Sequence, residues 1–411
     1  MTERSAEVIV VGGGVIGCSI AFHLTRLGVK DILVLEKGMV AGQASGRSGA
    51  LVRMHYSNEP EARLALAALP WFERWNELVG GDCGFVPTGF LQLVQPSDND
   101  KLRQNTAMLQ RIGVQTRLVA AEEIAELQPG LEVRDDEIGA FEPHSGYADP
   151  VRTTCGFAAA AQRRGAVVQE GVEVRGLLAR HGRIEGVETA AGPIFAPRVV
   201  LASGGWSPAL AHPLGIDLPI TPARVQLAIV QRSATIPTGP AGHRAIIDRR
   251  FGFYTRPWGE TGTLVGLSSY HGRLDHLDAY PQENDAAFIP LVRQHLSQRF
   301  PSYAAAPYLQ GHAGPLDVTS DGRAIVGQAP GVEGLYLAVG MSGSGFKKAP
   351  AIGACMAELI TEGAARTAPI HAFRPTRFAE GEPIQGVEYD LPASALDYGQ
   401  IASFRGRGLI H

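Results

Sequence analysis

Val8-Ile9-Val10-Val11-Gly12-Gly13-Gly14-Val15-Ile16-Gly17 is the stretch on which the fold turns. Val8 to Val11 is a short apolar run of strand character. It enters three glycines, Gly12, Gly14 and Gly17, and a helical pattern follows with Ile16, Ile20, Leu24 and Leu27 on one face. A second apolar strand, Asp31 to Leu35, ends at Glu36. Strand, glycine turn, helix, strand and acid make a dinucleotide-binding βαβ unit. Gly12 permits the tight turn, Gly14 lets a pyrophosphate approach the backbone, and Gly17 lets helix and strand pack closely. The helix start, with the amides of Val15 and Ile16, offers free N–H groups and positive dipole to the phosphates. Glu36 stands close to the spacing of about 20 residues expected of a ribose-binding acid, and it argues against an adenosine 2′-phosphate; Lys37 follows it.

The chain has 411 residues and a formal net charge of −4. That length predicts two interleaved domains. The mild charge, with lysine and arginine scattered, argues against a nucleic-acid partner. Cys18, Cys83, Cys155 and Cys355 are far apart and lack metal-ligand spacing, so they read as reduced, mostly buried thiols in a cytoplasmic, reducing setting, with no metal site. No apolar run reaches the ~20 residues that cross a bilayer. The first apolar strand carries the glycine motif and follows acidic residues, which is unlike a signal peptide. From about Ala379 onward the sequence is polar and rich in Gly and Pro, and predicts an extended tail along the surface.

Residues Ala41 to Arg53 form a small, polar, glycine-broken segment directly after the second strand. It suits either an ordinary loop or a segment threaded past a large flat cofactor. Ala166 to Val174 is strand-like, and an alternating pair follows around Ile184 to Thr189. Val199 to Trp206 is a buried strand closing on a glycine turn, Ser203-Gly204-Gly205-Trp206. Gly334 to Lys347 is a strand ending in small residues, followed by a helix with Phe346, Ile352, Met356 and Leu359 roughly on one side.

Together these motifs carry a resemblance. To about Phe378 the chain is similar to the flavoprotein family of sarcosine oxidase, glycine oxidase, D-amino-acid dehydrogenase and the dimethylglycine dehydrogenases. The matching segments are Gly12-x-Gly14-x-x-Gly17, Ala44-Ser45-Gly46-Arg47-Ser48-Gly49, Ala202 to Trp206, Thr319-Ser320-Asp321-Gly322 and Gly340 to Lys347. The resemblance implies FAD and an α/β fold: a Rossmann-like FAD-binding domain of the GR2 type with an interleaved α+β substrate domain built on an antiparallel sheet. The expected boundaries are 1–83, 150–217 and 307–378 for the FAD-binding domain, 84–149 and 218–306 for the substrate domain, and 379–411 for the tail. The expected FAD contacts are Gly12, Gly14, Val15, Ile16, Gly17, Glu36, Lys37, Ala44, Ser45, Arg47, Ser48, Gly49, Val174, Ser203, Gly204, Trp206, Gly314, Gly343, Ser344, Gly345, Phe346 and Lys347. Arg47 against the ring, and amides from Gly343 to Phe346 at the last helix, would favour a reduced flavin, which carries negative charge.

Within the family the pattern most resembles the monomeric sarcosine oxidases, which implies that Arg53 and Lys347 grip a substrate carboxylate. A lysine in the first turn of a helix is electrostatically disfavoured, which tilts Lys347 toward function. Tyr254 matches a site tyrosine, with an ordinary strand aromatic as the alternative. His55 and Tyr56 either line the pocket or are structural. Arg273 and His271 fall on an expected loop over the site, with a solvated role.

Departures from the family pattern carry information too. Gly314 stands where those oxidases hold a flavin-linking cysteine, and no histidine lies near Arg47, so FAD is expected to be non-covalent. Leu264 stands where a lysine promotes reaction with oxygen, and Ser268 where a site histidine sits. A cation there would stabilise developing superoxide; leucine cannot. The electron acceptor is accordingly oxygen, a quinone or an electron-transfer protein. The expected reaction is oxidation of the C–N bond of a small amino acid or N-methyl amino acid to an imine, in a homo- or hetero-oligomer. The alternatives are a 2-hydroxy-acid dehydrogenase, which needs a strong base, and the flavin-bearing subunit of a hetero-oligomeric amine oxidase or dehydrogenase.

Overall fold

The computed structural model describes residues 4–239 and 242–390, apart from the side chains of 269–271. The glycine motif lies where the sequence predicts a strand–helix turn, with β1 at Val8–Val11, α1 at Val15–Arg26 and β2 at Ile32–Leu35. β1 is central in a six-stranded sheet. Its order is Ile325–Gln328, Leu335–Val339, Val199–Leu201, β1, β2, Val167–Gln169, and every pairing is parallel except that of the Ile325–Gln328 edge.

Strand alternation explains how this sheet is covered. Val8 and Val10 face α1 and the helices Pro150–Arg163 and Gly345–Glu362. Ile9 and Val11 face a three-stranded sheet formed by Val174–Arg180, Arg183–Thr189 and Gly192–Phe195. A strand buried on both sides needs apolar residues at every position, which is what Val-Ile-Val-Val supplies. Burial of each such side chain stabilises the fold by roughly 1.5–3 kcal/mol. α1 is buried from Val15 to Leu24, because neighbouring helices cover the face that the sheet does not. Leu27, expected on the apolar face, is instead the exposed C-cap.

An eight-stranded sheet stands over the first. Its order is Tyr308–Thr319, Ile220–Gln231, Gly262–Arg273, Phe253–Trp258, Ala245–Asp248, Phe90–Leu93, Ile138–Glu142, Arg117–Ala120. It is antiparallel but for the pairing of Ala245–Asp248 with Phe90–Leu93. One face packs on the helix Phe288–Ser297 through Val265 and Leu267. The other turns Leu264 and Tyr254 toward Leu51 in the Ala41–Arg53 segment. The boundary expected at residue 307 falls at the start of a strand that pairs along Ile220–Gln231, so Tyr308–Thr319 lies within the eight-stranded sheet.

The loop expected to hold Arg273 is the end of a twelve-residue strand, where ladder pairing with Ile220–Gln231 extends as far as Arg273. Arg273 itself is exposed and paired with Asp275; the side chain of His271 lies outside the described residues. Of the four cysteines, Cys18, Cys83 and Cys355 are buried and Cys155 is exposed, all as free thiols. No helix among the described residues is long and apolar enough to cross a membrane. The expected surface tail is described only to Asp390, and residues 391–411 lie outside the described residues. The described part does not stay on the surface: Tyr389 is buried, because an aromatic ring gains more from that pocket than from water.

Candidate active site

A cavity of about 420 Å³ opens at the carboxyl ends of β1 and β2. Its floor is the glycine turn. Gly12 has φ +114°, and a Cβ there would lie 2.5 Å from the Ala202 carbonyl oxygen. A Cβ on Gly17 would sit 2.0 Å from the Gly12 carbonyl oxygen. Both positions require glycine, and the bare backbone they leave is the cradle a pyrophosphate needs. Gly14, the N-cap residue of α1, brings no side-chain cap to the helix start, while the Val15 amide donates to Ser45 Oγ at 2.9 Å. Glu36 Oε2 accepts from the Gly13 amide at 2.7 Å and Oε1 from the Gly38 amide at 2.8 Å. A carboxylate held this way keeps lone pairs for ribose hydroxyls. Lys37 Nζ sits 4.1 Å from the Trp206 ring centre and pairs with Asp278, which also accepts from Trp206 Nε1 at 3.1 Å.

Of the expected FAD contacts, Gly12, Gly14, Val15, Ile16, Glu36, Lys37, Ala44, Ser45, Ser48, Val174, Ser203, Gly204, Trp206, Gly343, Gly345 and Phe346 line this cavity. Gly17 lies one layer beneath it, where it lets α1 meet β1. Arg47, Gly49, Gly314, Ser344 and Lys347 do not line it. Arg47 turns away to donate to Gln43, Tyr280 and Gln282, at 2.6 to 2.7 Å. Gly314 leaves room for the Arg47 stem, since a Cβ there would be 3.0 Å from Arg47 Cβ. The helix Gly345–Glu362 points its N-terminus at the cavity with no acidic residue in its first turn. The cavity, its free helix ends and the ribose-facing acid together fit a dinucleotide of FAD's size and charge.

Arg53 follows the short strand Leu51–Val52, and Lys347 lies in the first turn of the last helix; each is 3 % exposed. Burial, with Arg53 and Lys348 adding repulsion, holds the Lys347 amine well below its ordinary value. The Arg53 guanidinium lies 4.6 Å from the Tyr56 ring centre and donates to the His55 carbonyl. Its Nε is buried without a hydrogen-bond partner. His55 Nε2 meets Tyr389 OH at 2.7 Å, and burial beside Arg53 and Arg249 pushes its pKa down to about 3. Tyr254 packs its ring over Gly266, where a Cβ would be 2.2 Å from Cζ, and against Gly49. Leu264 is fully buried beside it.

Residues the sequence singles out here meet others that it does not, Arg249 and Tyr389 among them. Arg53, His55, Tyr56, Arg249, Ser342 and Tyr389 are among those lining a second, polar cavity of about 30 Å³. Ser342 is held in the left-handed region at φ +48°, its Oγ accepting from the Thr319 amide. Arg256 donates to the Gly49 carbonyl at 2.6 Å, tying the eight-stranded sheet to the Ala41–Arg53 segment. Lys348 donates to Glu61 at 2.6 Å and to Ser344 Oγ at 2.7 Å, and Arg323 reaches the other Glu61 oxygen at 2.9 Å. The doubled lysine Lys347-Lys348 was the only signal of this network in the sequence.

Burial alone would raise the Glu61 pKa, but Arg323 and Lys348 together hold it at about 2, against 4.5 for an ordinary glutamate. Ionisation of Glu61 therefore favours the fold by about 3 kcal/mol at neutral pH relative to acid, a gain full above pH 4.5 and lost as the pH falls from there toward 2, while burial holds the Lys348 amine below its ordinary value and opposes it. Glu61→Gln should lower stability at neutral pH by about 3–5 kcal/mol, because Lys348 stays buried without its counter-charge. Denaturant titration at pH 7 and pH 3 checks both: the gap between the two proteins should narrow in acid.

A family model for FAD-dependent oxidoreductases (DAO) matches residues 7–359. The chain is 26 % identical to sarcosine oxidase subunit beta of Rhodobacter capsulatus, over 94 % of this chain and 93 % of that protein. It is 24 % identical to human mitochondrial dimethylglycine dehydrogenase, over 87 % of this chain and 43 % of that longer protein. Among solved structures, L-proline dehydrogenase from P. horikoshii superposes with a TM-score of 0.85 at 28 % identity, covering 93 % of this chain and all of that one. Glycine oxidase from Geobacillus kaustophilus shares the fold, with a TM-score of 0.79 at 23 % identity, over 91 % of this chain and 99 % of that one. With the glycine cradle, the cavity and a match across most of its length, the chain belongs to the DAO family of FAD-dependent oxidoreductases.

Proposed function

We propose that the protein oxidises the C–N bond of a small amino acid or N-methyl amino acid, giving an imine that water hydrolyses. The observation that carries this reading is the pair of buried basic side chains, Arg53 and Lys347, set beside a cavity shaped for a dinucleotide. FAD, when bound, supplies the two-electron acceptor for the hydride. Arg53 and Lys347 clamp the substrate carboxylate, and the clamp fixes where the carbon next to the amine lies. Tyr254 and Leu264 form an apolar wall that keeps water from that carbon. No residue has to act as a strong base, because a neutral amine needs none. His55, neutral and engaged by Tyr389, suits that chemistry better than hydroxy-acid oxidation, which calls for a base.

FAD is held without a covalent link, in keeping with Gly314 beside Arg47. The strands and helices around the glycine cradle form the FAD-binding domain, and the eight-stranded sheet roofs the substrate. Leu264, buried and uncharged, gives no electrostatic help to oxygen, so a quinone or an electron-transfer protein is the favoured acceptor. Three relatives of matching length are themselves subunits beta of sarcosine oxidase, which favours a role within a hetero-oligomer, in a cytoplasmic setting. Anaerobic mixing of the yellow protein with a panel of amino and N-methyl amino acids should bleach the flavin with at least one of them. Admitting oxygen afterwards should restore colour slowly. Absence of bleaching by every carboxylate-bearing amine, with bleaching by a 2-hydroxy acid, would overturn the reading.

A further inference from the structure

We infer that Arg249 builds a second anion subsite, and that the preferred substrate carries a second acidic group in addition to the carboxylate held by Arg53 and Lys347. The inference rests on the function proposed above and names a narrower substrate class for the same site.

Arg249 follows the strand Ala245–Asp248. Its neighbours anchor it from both sides. Asp248 accepts from Arg299 Nε at 2.6 Å and from the Phe251 amide at 2.9 Å, Arg250 pairs with Glu137, and the Arg249 amide donates to the Leu93 carbonyl at 2.9 Å. Alternation along the chain then turns the Arg249 side chain to the opposite face, into the cavity that Arg53 also lines. There it is 6 % exposed, and its Nε and Nη1 are buried with no hydrogen-bond partner among the described residues. Arg53 Nε is orphaned in the same cavity.

A guanidinium taken out of water without partners is costly, and native proteins keep such a group where a ligand completes it. Glu388 lies near enough to favour its charge, but no acid nearby among the described residues pairs with it directly. Glu61 is engaged by Lys348 and Arg323, and Glu388 by Arg323 and by Ser57 Oγ at 2.7 Å. Glu142 accepts from the Met54 amide at 2.9 Å and from Ser145 at 2.6 Å. Tyr389 closes the cavity, its ring centre 6.0 Å from the Arg249 guanidinium and its hydroxyl on His55. A space of about 30 Å³ admits a carboxylate-sized group and little more. A carboxylate there would give planar, charge-assisted bonds to the free face of Arg249. The matching ligand is an amine bearing two acidic groups.

The test uses the FAD-loaded protein and acids that have no amine to oxidise. Diglycolate, succinate and glutarate are titrated against their monoacids, methoxyacetate, propionate and butyrate, with flavin absorbance and binding heat as independent readouts. At least one diacid should bind about tenfold more tightly than its monoacid. Arg249→Gln should bring that ratio to within about twofold, and Arg249→Lys should keep part of it. Arg249→Gln removes a buried, unpaired charge, so its melting temperature should equal or exceed that of the parent. Equal affinity for diacids and monoacids in the parent protein, or a ratio unchanged by Arg249→Gln, overturns this inference while leaving the carboxylate clamp intact. Failure of every acid to bind removes the clamp itself.

Discussion

Lys347→Met should cut kcat/KM for carboxylate-bearing amines by about 30-fold to a few thousand-fold, and Arg53→Met should do the same, with the flavin content of the purified protein unchanged. The size follows from losing one arm of a buried, charge-assisted pair, worth about 2–5 kcal/mol. The selectivity follows from position: neither side chain lines the dinucleotide cavity. The loss should lie mainly in KM, because the clamp holds the ground state as well as the transition state. An amine lacking a carboxylate should lose far less. The adjacent lysine provides the internal control. Lys348 is bonded to Glu61 and Ser344, so Lys348→Met should lower the melting temperature and take activity with it through folding. Lys347 sits where burial and the neighbouring cations disfavour its charge. Removing it should lower the melting temperature less than Lys348→Met does, which separates a substrate-facing role from a scaffold one. If Lys347→Met and Lys348→Met lose flavin, stability and turnover in parallel, Lys347 belongs to the scaffold and the clamp is gone.

The βαβ unit was readable because each of its constraints is local. A strand buried on both sides, a turn without Cβ atoms and a helix start without a side-chain cap each leave a mark on consecutive residues. The expectation that Arg53 and Lys347 act together came only through the resemblance, since they stand 294 positions apart in the chain. Arg249 and Tyr389 left no readable mark, and the Glu61–Lys348–Arg323 network left only the doubled lysine. Asp248-Arg249-Arg250 looks like a solvated charge run, and only the sheet shows that Asp248 and Arg250 are tied to Arg299 and Glu137 while Arg249 faces a cavity. Tyr389 lies in a stretch whose composition predicts a surface tail. Its burial depends on a pocket made by residues 55, 92 and 249, and such long-range complementarity leaves no local trace. Arg47 belongs to a recognised motif, yet its partners are invisible in the sequence: it donates to Gln43 at the cavity and to Tyr280 and Gln282 from the other domain segment, without lining the cavity itself.

The cradle itself is open to the second large test. Gly17→Ala should yield protein that is colourless, poorly folded, or both. A methyl group at this position would stand 2.0 Å from the Gly12 carbonyl oxygen and 3.2 Å from Val10 Cγ1. The oxygen belongs to backbone, and Gly12 is itself held by the hydrogen bond its N–H donates to the Leu35 carbonyl at 2.8 Å. Relief therefore requires α1 to move off β1, and overpacking of this kind costs typically 1–3 kcal/mol or more. The same displacement tilts the helix start away from the phosphates, so affinity for FAD falls together with stability. Gly14→Ala separates the two effects. A Cβ there meets only Ser45 Oγ, at 3.0 Å, the far end of a short side chain. That variant should fold with a near-parental melting temperature as apoprotein while binding FAD more weakly, because the methyl occupies space meant for the pyrophosphate. Fluorescence titration of each apoprotein with FAD, beside a thermal melt, reads both quantities. Gly17→Ala protein that stays yellow and melts like the parent would mean that α1 and β1 approach less closely than 2.0 Å implies, and the dinucleotide cradle would have to be placed elsewhere.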